Sequence, residues 1–258
     1  MSMKQTLIGL GLVAASGAAL ALPNIAVLAT GGTIAGAGAS ATGTAYQAGK
    51  VSVNHLVAAV PELANIANVT PKQVAQIGSQ DMSDEVWLKL AQTINADCKK
   101  YDGFVITHGT DTMAYTASAL SFMLDGLDKP VVLTGSQIPL CEIRSDGRDN
   151  LITALLIAGE GIVREVCLYF GGKLLRGNRA TKYSADGLIA FVSPNCPSLA
   201  EAGISIKYNE AALLPRQEGG LKLQTLDNIP IGVIKVFPGI QFSLFEAIMT
   251  EKLRGIVI

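Results

Sequence analysis

Cysteine is scarce, four residues in 258, far below the density of a disulfide scaffold. A chain of this length buries on the order of 75% of its extended surface without covalent staples. Cys98, Cys141, Cys167 and Cys196 form no C-x-x-C pair, and His55 and His108 are the only histidines, so no zinc cluster assembles at the usual spacings. Charge is scarce too: 16% of residues, with 20 Lys and Arg against 21 Asp and Glu, for a formal −1. No stretch gathers basic residues into a nucleic-acid footprint, which excludes nucleic acid as a partner. Little charge combined with 49% apolar residues excludes intrinsic disorder.

Common nucleotide and hydrolase signatures are also missing. Gly36-Ala37-Gly38 follows a strand but opens no helix, and no acidic residue ends the second strand, so it is not a dinucleotide loop. The glycines of Gly43 to Lys50 are one residue too far apart for a phosphate-binding P-loop, and Val51 replaces its Ser or Thr. There is no G-x-S-x-G elbow. The length fits one large or two smaller domains.

What is present begins with an address. Lys4 gives a short basic start, Leu7 to Leu20 is apolar and rich in small residues, and Ala19-Leu20-Ala21 fits an A-x-A cleavage site, which reads as a secretory signal peptide over residues 1–21. Gly9, Gly11 and Gly17 and the shortness of the run argue against a membrane helix. The expected destination is periplasmic or secreted, with no membrane attachment after cleavage. Cysteines can pair in such an oxidising space, although Cys167, inside an apolar run, reads as a buried free thiol.

Asn24 to Thr30 is a nearly continuous apolar run ending at Gly31-Gly32, the pattern of a strand buried on both faces. A polar Gly/Ser/Thr stretch to Lys50 exceeds ordinary loop length and reads as a lid or as disorder. Ser52 can cap a short helix, Gln73 to Ile77 is a second strand, and Ser83-Asp84-Glu85 opens a helix with Val86, Leu90 and Ile94 on one face. Strands at Phe104 to Thr107, Val131 to Thr134 and Val166 to Phe170 alternate with helices over Asp111 to about Leu124 and Leu151 to Ala158. Gly171-Gly172-Lys173 looks like a hairpin turn. The alternation predicts a parallel sheet with helices on both faces and a ligand beyond the carboxyl ends of its strands. Polar clusters fall at those ends: Thr30 to Thr33, Ser79-Gln80-Asp81, His108-Gly109-Thr110-Asp111 and Thr134-Gly135-Ser136-Gln137. After a turn-rich stretch at 218–230, a strand over Ile231 to Val236, a helix near Phe242 to Thr250 and a strand at Ile256 to Ile258 start a second unit. Ending on an uncovered apolar strand makes a truncated chain the expectation.

A Thr on a glycine turn after a buried strand can be a nucleophile if a base assists it. Thr33 is that candidate, against the alternative that Thr30 and Thr33 only satisfy turn backbone. Thr110 is either part of a site or a helix cap. Asp111 can hold an ammonium, and Ser79 and Gln80 can hold a carboxylate, which together point to a zwitterionic amino acid. Lys182 is either a desolvated base or a solvated surface charge, and His108 either a catalytic group or a structural residue at the strand end.

Ala29-Thr30-Gly31-Gly32-Thr33-Ile34-Ala35-Gly36 and His108-Gly109-Thr110-Asp111-Thr112-Met113 resemble the two signature motifs of bacterial L-asparaginases, and the likeness covers essentially the whole chain. Up to about Thr112 it is similar to the secreted type II enzymes, including Tyr46 and Gly78-Ser79-Gln80-Asp81-Met82. From Ala114 onward it is similar to the cytoplasmic type I enzymes, in Ala114 to Met123, Thr134 to Leu140, Arg144-Ser145-Asp146-Gly147 and Arg176-Gly177-Asn178-Arg179, so the chain reads as a hybrid. The resemblance implies a parallel flavodoxin-like sheet flanked by helices over 22–217, a linker over 218–230, and the start of a smaller α/β C-terminal domain over 231–258. It also implies acyl transfer: Thr33 as nucleophile with Tyr46 beside it on the lid, Thr110, Asp111 and Lys182 as the second catalytic group, and Ser79, Gln80, Thr110 and Asp111 holding L-asparagine. It calls for no cofactor or metal, and for a homo-oligomer, a homotetramer in the secreted type, where the C-terminal domain is complete.

Three departures accompany the resemblance. Cys98 matches a type II cysteine whose disulfide partner would lie near Gly126, where there is no cysteine. Lys182 follows the type I spacing, while Tyr183 stands where the type II spacing puts Lys. By the resemblance, most of the smaller domain, which completes a neighbouring subunit's active site in the family, is expected to lie beyond Ile258. A glutaminase-asparaginase stays open, since one methylene is worth only about 1 to 3 kcal/mol of discrimination. So does an inactive product that binds an amino acid without turning it over.

Overall fold

The computed structural model describes residues 21–37, 47–247, 249–250 and 252–258. Apart from Ala21, the signal-peptide reading lies outside the described residues, as do Tyr46 and most of the lid stretch.

Eight strands form the main sheet: β1 (Asn24–Gly31), β2 (Asn68–Ile77), β3 (Gly103–Thr107), β4 (Val131–Thr134), β5 (Val166–Phe170), β6 (Lys173–Arg176), β7 (Ala200–Ala202) and β8 (Ile206–Tyr208). Their order is β8-β7-β6-β5-β4-β3-β1-β2. The five strands β2, β1, β3, β4 and β5 run parallel, and β6 to β8 continue antiparallel. The parallel order 2-1-3-4-5 is the flavodoxin-like one, in which β1 and β3 flank the topological switch point.

Four helices cover this sheet: α1 (Val53–Ala58), α2 (Asp84–Asp97), α3 (Met113–Met123) and α4 (Gly147–Glu160). Strand side chains alternate between faces, and each face builds its own core. Ile25, Val27, Val105 and Val132 pack with Leu151 and Leu155 of α4, whereas Leu28, Phe104 and Ile106 pack with Leu90 and Ile94 of α2 and Leu120 of α3. Burying both faces is what makes β1 read as an unbroken apolar run.

Element ends differ from the sequence reading for local reasons. β2 starts at Asn68, ahead of the expected Gln73, and carries Pro71 because it is the sheet's edge strand, where a missing N–H costs no ladder bond. α3 starts at Met113, with Thr112 at its cap position, and α4 starts at Gly147, ahead of Leu151. The β5–β6 hairpin turns on Gly171 (φ 56°) and Gly172 (φ 85°), both in the left-handed region that the tight two-residue turn demands. Ile231–Val233 is shorter than expected and pairs in parallel with Gly255–Val257, and the helix expected near 242–250 is a 3-10 turn over Phe242–Phe245.

Arg176 of β6 grips Glu165 with two guanidinium nitrogens (2.6 and 3.1 Å) and donates to the Ala212 carbonyl at 2.6 Å. This partly buried pair ties the segment after β8 to the sheet. Among the described residues no helix is long and apolar enough to cross a membrane.

Candidate active site

Three loops leave the carboxyl ends of β1, β2 and β3 and meet through glycine. A Cβ on Gly31 would lie 2.3 Å from the Ile77 carbonyl oxygen, and one on Gly32 would lie 2.3 Å from the Gly109 nitrogen. Gly109 in turn lies against Ser79, where an added Cβ would come within 2.6 Å of the serine Cβ. Gly31 and Gly32 also have φ of 110° and 78°, a region other residues rarely enter. Backbone bonds lock the arrangement: Gly32 N donates to Ile77 O at 3.0 Å, and the Thr30 hydroxyl donates to Thr107 O at 3.0 Å. Thr30 is thus spent on the turn. Thr33 follows, opening a single 3-10 turn over Thr33–Ala35 at the partly exposed edge of the cluster.

The next residues along the β3 loop are joined to Lys182 and Ser79 by hydrogen bonds. Because α3 starts at Met113, Thr110 is released from the capping role open to it in the sequence. Thr112 occupies the cap position, and its hydroxyl donates to Ser79 O at 2.8 Å. Lys182 Nζ donates to Thr110 Oγ1 at 2.7 Å and to Asp111 Oδ1 at 2.6 Å. Ser79 Oγ donates to Asp111 Oδ2 at 3.3 Å. The lysine bond, with a smaller contribution from Ser79, holds the Asp111 carboxyl below the usual carboxylate range against the opposing effect of partial burial. Lys182, 17% exposed in its side chain, is therefore no solvated surface charge. It reaches the cluster from a two-residue strand, Thr181–Lys182, paired with Phe191–Val192. A cavity of about 400 Å³ opens beside Asp111 and Lys182, bounded also by Tyr115, Asn178 and Thr181.

His108 has a structural part. It is fully buried, and burial pulls its imidazole down to about 4, so the ring is neutral. Its Nδ1 lies 2.7 Å from Gly109 O, its Nε2 lies 2.8 Å from Thr116 Oγ1, and Trp87 Nε1 donates to the same hydroxyl at 2.8 Å. A carbonyl only accepts, so the ring proton sits on Nδ1. Thr116 then donates to Nε2, and the chain of bonds runs one way from Trp87 to Gly109. Its effect is to fix the peptide just before Thr110.

The structure brings Ser79, Thr110, Asp111 and Lys182 into one hydrogen-bonded group and sets the Thr33 turn against it through Gly32 and Gly109. Gln80 sits on the same loop as Ser79, but its side chain donates to Asp81 at 3.2 Å. The sequence reading gave no role to Gln137, whose side chain meets Thr110, nor to Asp146, whose carboxylate accepts from the Gln137 and Ile138 N–H groups at 3.0 to 3.1 Å. The polar cluster after β4 marked the place of Gln137, and Asp146 stood in the Arg144-Ser145-Asp146-Gly147 run. Among the described residues no group of three or more His, Cys, Asp or Glu is placed to hold a metal ion.

Residues 24–214 match the family described as "Asparaginase, N-terminal". The chain is 49% identical over 180 residues to "L-asparaginase 1" of Escherichia coli K12, an alignment covering 70% of this chain and 53% of that protein. It is 42% identical over 260 residues to the "Probable L-asparaginase periplasmic" of Haemophilus influenzae, covering 98% of this chain and 73% of that one. The structure of L-asparaginase I from Vibrio cholerae superposes with a TM-score of 0.82 at 39% identity, over 92% of this chain and 71% of that one. The chain thus spans about half the length of the Escherichia coli relative.

Proposed function

Because the chain belongs to the asparaginase family, we propose that it is an amidohydrolase converting L-asparagine to L-aspartate and ammonia through a threonine acyl-enzyme. The observation that carries this reading is the Lys182–Thr110–Asp111–Ser79 group held against the Thr33 turn at the switch point of the sheet.

Each residue takes a part in that reaction. Asp111, kept ionised by Lys182, binds the α-ammonium of the amino acid, and Ser79 with Gln80 binds its α-carboxylate. Those contacts place the side-chain amide carbon at Thr33. The Thr33 hydroxyl attacks, its proton leaves through a base, and the oxyanion is met by backbone N–H groups of the glycine turns, each such donor being worth about 10²- to 10³-fold in rate. Ammonia departs with a proton, and water then hydrolyses the aspartyl ester with the Thr110–Lys182 pair, its lysine in the neutral amine form, as proton acceptor, a contribution of roughly 10²- to 10⁴-fold. Tyr46 is assigned a place beside Thr33 from the family motif.

A periplasmic destination is supported by the apolar leader before Ala21 and by the name of the Haemophilus influenzae relative. A domain boundary at 218–230 is supported by the end of the family match at 214 and the separate pairing of Ile231–Val233 with Gly255–Val257. A homo-oligomer is supported by Tyr115 and Phe122, exposed at 68% and 64% on α3.

The test is ammonia release by the purified chain from three amides. L-Asparagine is expected to be turned over, with L-glutamine slower because its added methylene displaces the amide from Thr33. Succinamic acid, which is asparagine without the α-amino group, is expected to lose most of kcat/KM because Asp111 then faces no cation. Equal rates on asparagine and succinamic acid would remove Asp111 from substrate recognition.

A further inference from the structure

The amide of Gln137 bridges Thr110 and the turn that follows Lys182 in the chain. Its Nε2 donates to Gly187 O at 3.1 Å and lies 3.5 Å from Ser184 O. Both partners are carbonyls, which only accept, so the amide can be seated one way round. Its Oε1 end therefore faces Thr110, 3.2 Å from the hydroxyl, and must accept from it. Thr110 has one proton to give. With that proton on Gln137, its oxygen is left to accept from Lys182 Nζ at 2.7 Å. The hydrogen bonds thus run from Lys182 to Thr110 to Gln137 and on to the 184–187 turn, which follows Lys182 in the chain and is joined to Ala190 by Tyr183 N and Ser184 N. The backbone beneath Gln137 is rigid, since Asp146 holds two of its loop N–H groups and Asn150 ties Gly135 O to Gly171 N.

We propose that Gln137 is a positioning residue for the acyl transfer: it holds Thr110 and the Lys182 segment in register and keeps the Thr110 proton pointed away from Lys182 in the resting state. This rests on the proposed reaction. Before Thr110 can hand a proton to Lys182, the lysine must be in its neutral amine form, and the Thr110 O–H must swing from the Gln137 oxygen to the lysine nitrogen. Gln137 therefore opposes proton loss from the pair while securing its geometry. Among the described residues the charged group hydrogen-bonded to the pair is Asp111 from the β3–α3 loop, while Asp146, just ahead of α4, is spent on the Gln137 and Ile138 N–H groups. Asp186 lies exposed on the 184–187 turn.

The experiment is ammonia release from L-asparagine by the whole chain across the acidic limb of its pH profile, for wild type, Gln137→Met and Gln137→Glu, with thermal unfolding of each. Methionine fills the same space but donates nothing and accepts only weakly. It is expected to lower kcat about tenfold or more with KM changed less than about threefold, and to move the acidic limb to lower pH, because nothing competes for the Thr110 proton. Glutamate accepts more strongly and faces the Gly187 and Ser184 carbonyls with no donor, so its limb moves to higher pH. Opposite shifts are the signature, since a merely structural defect would move both variants alike. Should the methionine variant fail to fold, Gln137→Asn, too short to reach both partners, carries the same expected loss of kcat. Shifts in one direction, a limb unmoved in both, or wild-type kcat in the asparagine variant would overturn the proposal while leaving the reaction standing. A wild type that releases no ammonia overturns the reaction and this role with it.

Discussion

His108 shows how one buried side chain makes a fold sensitive to acid. Its imidazole is held near 4 by burial, against 6.5 for an ordinary histidine. As pH falls below about 6.5 the unfolded chain takes up a proton that the folded chain refuses. Stability is therefore complete above about 6.5 and is lost progressively on the way down to about 4, by about 3 kcal/mol in all. Replacing His108 with Gln, which can still donate to Gly109 O, is expected to flatten the fall in Tm across that window relative to wild type. Parallel slopes in the two proteins would mean that His108 is not the proton-linked group. At this scale the sequence was legible where a residue type has one obvious use, as with Asp111 as an anion, and left Thr33 open between a reactive hydroxyl and a turn residue. It was ambiguous for Thr110 and Lys182, because capping against reactivity, and surface charge against buried donor, depend on partners 72 residues apart in the chain. The place of Gln137 at a strand end was legible but its role was not, since an amide declares its role only through what it touches.

Among the elements, the turns carry more of the site than the helices do. Gly32 is pressed onto the Gly109 backbone at positive φ, so Gly32→Ala must both leave its preferred backbone region and push the β1 and β3 loops apart. A loss of at least about 2 kcal/mol in unfolding free energy is expected from the strain and the contact together, with activity falling further than stability because Thr33 is displaced. Denaturant unfolding beside an activity assay checks this, and a variant of wild-type stability would show that the loops are not in close contact. Strand positions were readable from the apolar runs because both sheet faces are buried. The start of β2 was not, since Pro71 argues against a strand until one knows that it lies at an edge. The start of α3 shifted because Thr112, rather than Thr110, takes the cap position.

For the whole molecule, the strand order 2-1-3-4-5 decides where function sits. Helices leave β1 and β3 toward opposite faces, which opens a crevice at their carboxyl ends, and the polar clusters seen in the sequence gather there with Lys182 brought in from beyond β6. Alternating strands and helices made that architecture legible. The antiparallel strands β7 and β8 were not foreseen, because three-residue strands leave no periodic signal to read.

Thr33 is proposed as the nucleophile of an amide hydrolysis carried out in that crevice. Ammonia release from L-asparagine by the wild-type chain, set beside a Thr33→Ala variant shown by its Tm to be folded, tests it most directly. The account predicts turnover in the first protein and none in the second. Turnover that survives the loss of the Thr33 hydroxyl would contradict it.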